Sequence, residues 1–215
     1  MHRIQSCIVT VEEVTRPRRR RAETVERLLD AALETFAEVG FAAASVEDIC
    51  RRGGFTRGAF YSSFRTKDEL FGALFLRETA RTLALAEQQL QGIEHESDPV
   101  TAAVGRCLSS FRADRSWVLV LTEYRLHAAR HPEAAAALLE HSTGVLAQLT
   151  ALIEDGVARA GLRLTLPAAR LASMILALHD GLVVAQATDP VGSDDTSDLE
   201  RTALLLLLRS AVLPS

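Results

Sequence analysis

Residues 45–70, SVEDICRRGGFTRGAFYSSFRTKDEL, hold two short helical segments joined by a tight turn and lead into a third helix. Ser45 followed by Asp48 is the start signal in which a hydroxyl satisfies orphan backbone amides at a helix N-terminus. The helix that begins there covers 45–52, and Gly53-Gly54 ends it after two turns, as a sharp crossing between helices requires. Phe55 fits the angle between the helices, and Thr56 caps a second helix over 56–64. Phe60 and Phe64 stand one turn apart and share the inward face, which turns Arg57, Gly58, Tyr61 and Ser62 outward. A face with a guanidinium fork, a glycine permitting close approach, a phenol and a hydroxyl suits entry into a DNA major groove. Thr66 and Glu69 make a second capping box and put Lys67 in the first turn of the next helix. A lysine there opposes the helix dipole. A DNA phosphate would explain it, attracted by the helix end and the ammonium together.

Working outward, Val25, Leu28, Leu29, Ala32, Leu33 and Phe36 recur at steps of three and four, a first helix that Gly40 terminates. The third helix of the motif continues over 67–91, and the polar segment 93–99, closed by Pro99, reads as a loop. Helices are then expected over 100–111, 117–130, 133–160, 167–187 and 199–213. His131-Pro132, Gly161 and the polar run 189–198 separate them, and no alternating strand pattern of useful length occurs. The expected fold is all-α: an N-terminal three-helix helix-turn-helix domain over 22–70 and a larger helical bundle over 71–215.

A chain of 215 residues that is 48% hydrophobic can bury a sizeable core, which excludes a disordered protein. The net charge of -4 excludes a wholly basic coat protein, yet the charge is segregated. Residues 16–80 carry 12 Arg and Lys against 10 Asp and Glu, while 81–215 carry 11 against 16. Five arginines crowd into 16–21, and mutual repulsion makes 1–21 read as a basic, mobile arm before the first helix, able to touch phosphates. Cys7, Cys50 and Cys107 are odd in number and without a C-x-x-C pair, which fits a reducing cytoplasm rather than a disulfide or zinc framework. No secretion signal or membrane span is expected, the leucine run 204–208 being too short for a bilayer.

The segment GFTRGAFYSSFRTKDEL, 54–70, preceded by FAEVGF at 36–41, resembles the DNA-binding signature of the TetR family of repressors. That signature has the form G-[VF]-[ST]-x-[GA]-x-[FL]-Y-x-x-F-x-[ST]-K-[ED]-x-L, and every fixed position is filled here. The resemblance covers about 24–75; the rest agrees with the family's larger domain in length and helix count but carries no signature. It implies that Ser45 and Thr56 face phosphates at helix starts and that Tyr61 and Lys67 contact the DNA backbone. Arg57, Gly58, Ser62 and Ser63 would then read bases or nearby phosphates.

In the C-terminal half, Leu171, Ile175, Leu178 and Leu182 form one stripe, and Leu204, Leu207 and Leu208 belong to an unbroken leucine block. One core cannot absorb every side of such helices, and the resemblance implies a four-helix interface between two copies that spaces two recognition helices along a palindromic operator. It also implies an internal pocket for a small, apolar effector. Phe111, Trp117, Leu121, Tyr124, Leu146 and Leu149 are candidates for its lining, with Arg125 and His179 as polar candidates, although such residues are core filler more often than ligand contacts. His127 and His131 lack the further ligands of a metal site, and no cofactor or catalytic residue is indicated. The chain therefore reads as a regulator released from double-stranded DNA by an inducer and not as an enzyme. The alternatives are a helical small-molecule carrier with a vestigial DNA head and, with fewer of its parts present, a DNA-acting enzyme bearing a helix-turn-helix.

Overall fold

The computed structural model describes residues 12–110, 114–188 and 193–214. Helices α1 (Glu12–Val39), α2 (Val46–Gly53) and α3 (Arg57–Tyr61) build the head, and α4 (Lys67–Gln89) leads out of it. A 3-10 turn (Ile93–His95) precedes α5 (Pro99–Ser110), α6 (Arg115–Ala128), α7 (Pro132–Arg159), α8 (Ala168–Thr188) and α9 (Ser193–Ala211). The all-α expectation holds, with one small addition. Leu162–Leu164 pairs antiparallel with Val212–Pro214, tying the end of α7 to the end of α9. Strands of three residues are too short for a period-two pattern to reveal.

The local signals of the head are realised as hydrogen bonds. Asp48 N donates to Ser45 Oγ at 3.1 Å and Ser45 N to Asp48 Oδ2 at 3.2 Å, a complete capping box. Gly54 closes α2 in the left-handed region at φ 71°, where only glycine avoids a steric penalty. Thr56 caps α3 through Ala59 N, and Thr66 caps α4 through Glu69 N at 3.0 Å. The Glu69 carboxylate accepts from Arg65 N, one residue earlier than the capping box expected from sequence.

Three boundaries differ most from expectation, the first being α3, which ends at Tyr61 with Ser62 as its C-cap and not at Phe64. Helix α1 runs back to Glu12, so the arginine stretch is helical and not an arm separate from the first helix. Extending a nucleated helix needs no new nucleus, and arginine is a good helix former, so repulsion of a few tenths of a kcal/mol per pair does not stop it. Helix α9 likewise begins at Ser193, inside the polar run read as a breaker. Its acidic residues suit a helix N-terminus.

One apolar cluster spans head and bundle. Leu28, Ala32, Phe36, Phe41, Ile49, Phe60, Phe64, Leu70, Phe71 and Leu74 of the head are continuous with Val120, Tyr124, Ala128 and Ala134 of α6 and α7. Elsewhere in the bundle Leu171, Ala172, Val104 and Ala211 are buried, but α7 is thinly covered. On α7 only Ala134 is buried, and α7 and α8 are long and apolar enough, by length and composition alone, to cross a membrane.

Candidate nucleic-acid interface

Buried Phe60 within α3, and buried Phe64 in the turn after it, fix the rotation of α3, so its other face meets solvent. Arg57 and Tyr61 are 61% and 48% exposed, and Thr56, Gly58 and Ser62 are exposed with them. A Cβ at Gly58 would meet nothing nearer than Thr56 Oγ1 at 3.7 Å, so its missing side chain matters only to a molecule arriving from outside. The Ser62 hydroxyl is occupied by Ala59 O at 2.7 Å. Ser63 is half-exposed, with its Oγ buried and without a hydrogen-bond partner.

Around this face lie further cationic groups. Arg21 Nη2 donates to Ser62 O at 3.2 Å, bringing the α1 side chain against the end of α3. Arg27 Nη2 donates to Gly53 O at 3.0 Å with its guanidinium over the Phe55 ring, bracing the turn between α2 and α3. Arg57 itself is engaged: Nη1 lies 2.6 Å from Glu47 Oε1 on α2, and its Cζ is 5.7 Å from the Tyr61 ring centre. A hydrogen bond to Tyr61 first, and Glu47 second, raise the guanidinium above its ordinary range. Sequence reading overlooked Glu47. Its outward position follows from buried Ile49 and Cys50, but its neighbour across the glycine turn does not show in any helical period.

Lys67, expected at the phosphate strand, reaches back to the turn between α1 and α2. Its Nζ donates to Phe41 O at 2.5 Å, Ala42 O at 3.3 Å and Ala44 O at 2.8 Å, and sits 4.5 Å from the Phe41 ring centre. The three carbonyls match the three donors of an ammonium, the longest contact being the exposed one to Ala42 O. Burial lowers its pKa from the ordinary lysine value, against a raising influence of Asp68.

Behind that turn is a seam to the bundle. Phe41 N donates to Glu123 Oε2 at 2.7 Å, and Tyr124 Oη donates to Asp68 Oδ1 at 3.1 Å, with His127 Nε2 3.2 Å from the same oxygen. Burial, then the Asp68 carboxylate, raise the Tyr124 phenol and keep it a donor. Tyr124 stacks on Phe71 with ring centres 3.5 Å apart, and Trp117 lies parallel to Phe71 at 6.1 Å. Trp117, Tyr124 and half-buried Leu121 thus pack against the apolar cluster at the joint between head and bundle.

The other pocket candidates are dispersed. Leu146 and Leu149 are half-buried on α7, and Phe111 lies outside the described residues. Arg125 Nη2 is 2.7 Å from Asp180 Oδ2, and His179 Nδ1 is 2.7 Å from the buried Glu200 Oε1, so both link helices of the bundle. Two clefts of about 520 Å³ and 200 Å³ are open, charged grooves on the head, lined by residues of α1, α2 and the turn between them. His127 and His131 stack at 4.0 Å, and among the described residues no group of three His, Cys, Asp or Glu could hold a metal. Burial pushes the Cys107 thiol up to about 11 and raises Cys50, the opposite of a reactive thiolate.

Of the expected dimer residues, Leu171 and Leu204 are buried within the chain's own bundle and unavailable to a second copy. Ile175, Leu178, Leu182, Leu207 and Leu208 are half-buried, and the exposed apolar side chains beside them are Met174, Leu199 and Leu206.

Comparison with known proteins agrees with this geometry. Residues 28–74 match the family model for bacterial regulatory proteins of the tetR family, and 96–209, more than half of the chain, match the C-terminal domain of BetI-type transcriptional repressors. The HTH-type transcriptional regulator UidR of Escherichia coli strain K12 is 31% identical over 115 residues, 54% of this chain. The chain spans about half, 57%, of the length of that curated relative. Salmonella enterica GusR superposes with a TM-score of 0.69 at 25% identity, covering 87% of this chain and 96% of GusR. The transcriptional regulator FadR of Bacillus subtilis, solved with stearoyl-CoA, shares the fold with a TM-score of 0.66 at 20% identity, covering 85% of this chain and 96% of FadR. With both halves matched and the helix-turn-helix in place, the chain belongs to the tetR family of bacterial regulatory proteins.

Proposed function

We propose that the protein is a cytoplasmic, dimeric repressor that reads a palindromic DNA operator through α3 and is released by a small apolar effector. The observation that carries the reading is the division of α3 into two faces: Phe60 buried, with Arg57, Gly58 and Tyr61 left to solvent. Arg57 supplies base discrimination, and Thr56, Tyr61 and the α2 cap at Ser45 meet the phosphate strand. Operator selection from random duplexes is the direct test. Arg57→Ala is expected to lower operator affinity by about 1–3 kcal/mol and to flatten discrimination. Equal losses on operator and random DNA would refute the assignment, and failure of the parent protein to select any sequence would favour the carrier alternative.

Dimerisation is supported by the apolar side chains that α8 and α9 leave exposed, and it gives the long, weakly buried helices of the bundle a covering. Leu206 is 69% exposed on α9, and Leu206→Glu is expected to turn a dimer into a monomer at micromolar concentration. Sedimentation velocity checks this, and a parent protein that is already monomeric would overturn it. For effector release, α4 is the joining element, since it contacts α1 in the head and α5 and α7 in the bundle. An effector that prefers a shifted α4 would move Asp68 against Tyr124 and His127 and alter the spacing of the two heads. The stearoyl-CoA bound to FadR supports a small-molecule effector whose apolar part is a long acyl chain. Screening acyl compounds for loss of operator binding tests this, and unchanged affinity across the panel would sink it.

A further inference from the structure

We infer that Glu47 is a specificity-setting residue of the DNA interface: its carboxylate holds the Arg57 guanidinium away from phosphates and presents the remaining edge of the fork to a guanine. The inference rests on reading α3 as the recognition helix. Glu47 and Arg57 are 54% and 61% exposed, yet they pair at 2.6 Å across the turn between α2 and α3. A pair this exposed adds little to stability. The turn is fixed without it, by the left-handed Gly54, by Arg27 on Gly53 O and by buried Ile49 and Phe60.

What the pair does fix is one long side chain. Glu47 takes Nη1 from one side and the Tyr61 ring flanks the guanidinium from another, which restricts a fork that would otherwise sweep over any nearby phosphate. Guanine recognition needs two parallel N–H groups in one orientation, and a guanidinium with five donors can give one to Glu47 and one to Tyr61 and keep three. The carboxylate also cancels the charge that random DNA would exploit, and its own charge repels a phosphate strand that comes without a matching base. Glu47 therefore favours operator over random DNA by lowering affinity for the latter.

The test uses the full chain with Glu47→Gln, Arg57→Ala and the double variant, against the operator selected by the parent protein and a random duplex of equal length. Binding is followed by fluorescence anisotropy across a salt series, and thermal melts verify folding. Glu47→Gln is expected to tighten the random duplex, to steepen its salt slope by about 1 per head, and to cut the operator-to-random ratio about tenfold. In the Arg57→Ala background the same change should leave the ratio alone. A ratio within about twofold of the parent, or an equal loss with and without Arg57, overturns the inference while leaving the recognition helix intact. A parent protein that selects no operator overturns the recognition reading itself, and this result is obtained before any variant is made.

Discussion

Phe41→Ala is expected to cost about 3–5 kcal/mol of stability, the range for emptying a buried aromatic site, and to disconnect the head from the bundle. The ring is 2% exposed at the point where three helices meet. Its centre lies 5.1 Å from Phe36 of α1, 5.9 Å from Phe71 of α4, and 4.8 Å and 4.9 Å from Tyr124 and His127 of α6. The Tyr124 contact is edge-on at 90°, the arrangement that the ring quadrupole favours, and the Lys67 ammonium sits over a face. Alanine removes all of these at once. The cavity cannot collapse readily, because Phe41 N remains bonded to Glu123 and the turn stays pinned. Gly40 allows that bond: at φ 82°, a Cβ there would come within 2.9 Å of Glu123 Oε2. Denaturant unfolding measures the cost, and Phe41→Leu, which keeps most of the volume, should lose clearly less. A loss below about 1 kcal/mol for alanine would mean that the ring is not the packing centre of the joint.

The same junction explains why some of the molecule was legible in its sequence and some was not. Ser45, Gly54, Thr56 and Thr66 act on atoms within four residues of themselves, so caps and breaks could be read directly and α2, α3 and α4 start where expected. Periodicity identified Phe60 and Phe64 as inward-facing for the same local reason. Partners distant in the chain carry no such mark. Leu171 and Leu206 look alike in sequence, yet the first is fully buried between helices of its own bundle and the second is 69% exposed. Trp117 and Tyr124 read as pocket lining until Phe71, some fifty residues earlier, takes up their faces. At Lys67 the sequence posed the right question, an ammonium at the wrong end of a helix. Its answer lies in carbonyls more than twenty residues away.

Lys67→Met is accordingly expected to act on stability rather than on DNA contact. Methionine keeps much of the apolar stem but leaves Phe41 O and Ala44 O without their donor in a partly buried turn, and hydrogen bonds to a charged group are the stronger kind. A loss of about 2–4 kcal/mol follows in denaturant unfolding. Ala42 O is at the exposed rim and can turn to water, so it adds little. Lys67→Arg should recover only part of the loss, because a planar fork cannot converge on three carbonyls as a tetrahedral ammonium does. Under conditions where the variant remains folded, the salt dependence of its operator binding should match the parent's. The contrary result is equally well defined: parental stability with a salt slope shallower by about 1 would return this lysine to the phosphate strand. The turn between α1 and α2 would then have to be held by the Glu123 bond, the packing of Phe41 and its own backbone bond from Ala44 N to Gly40 O.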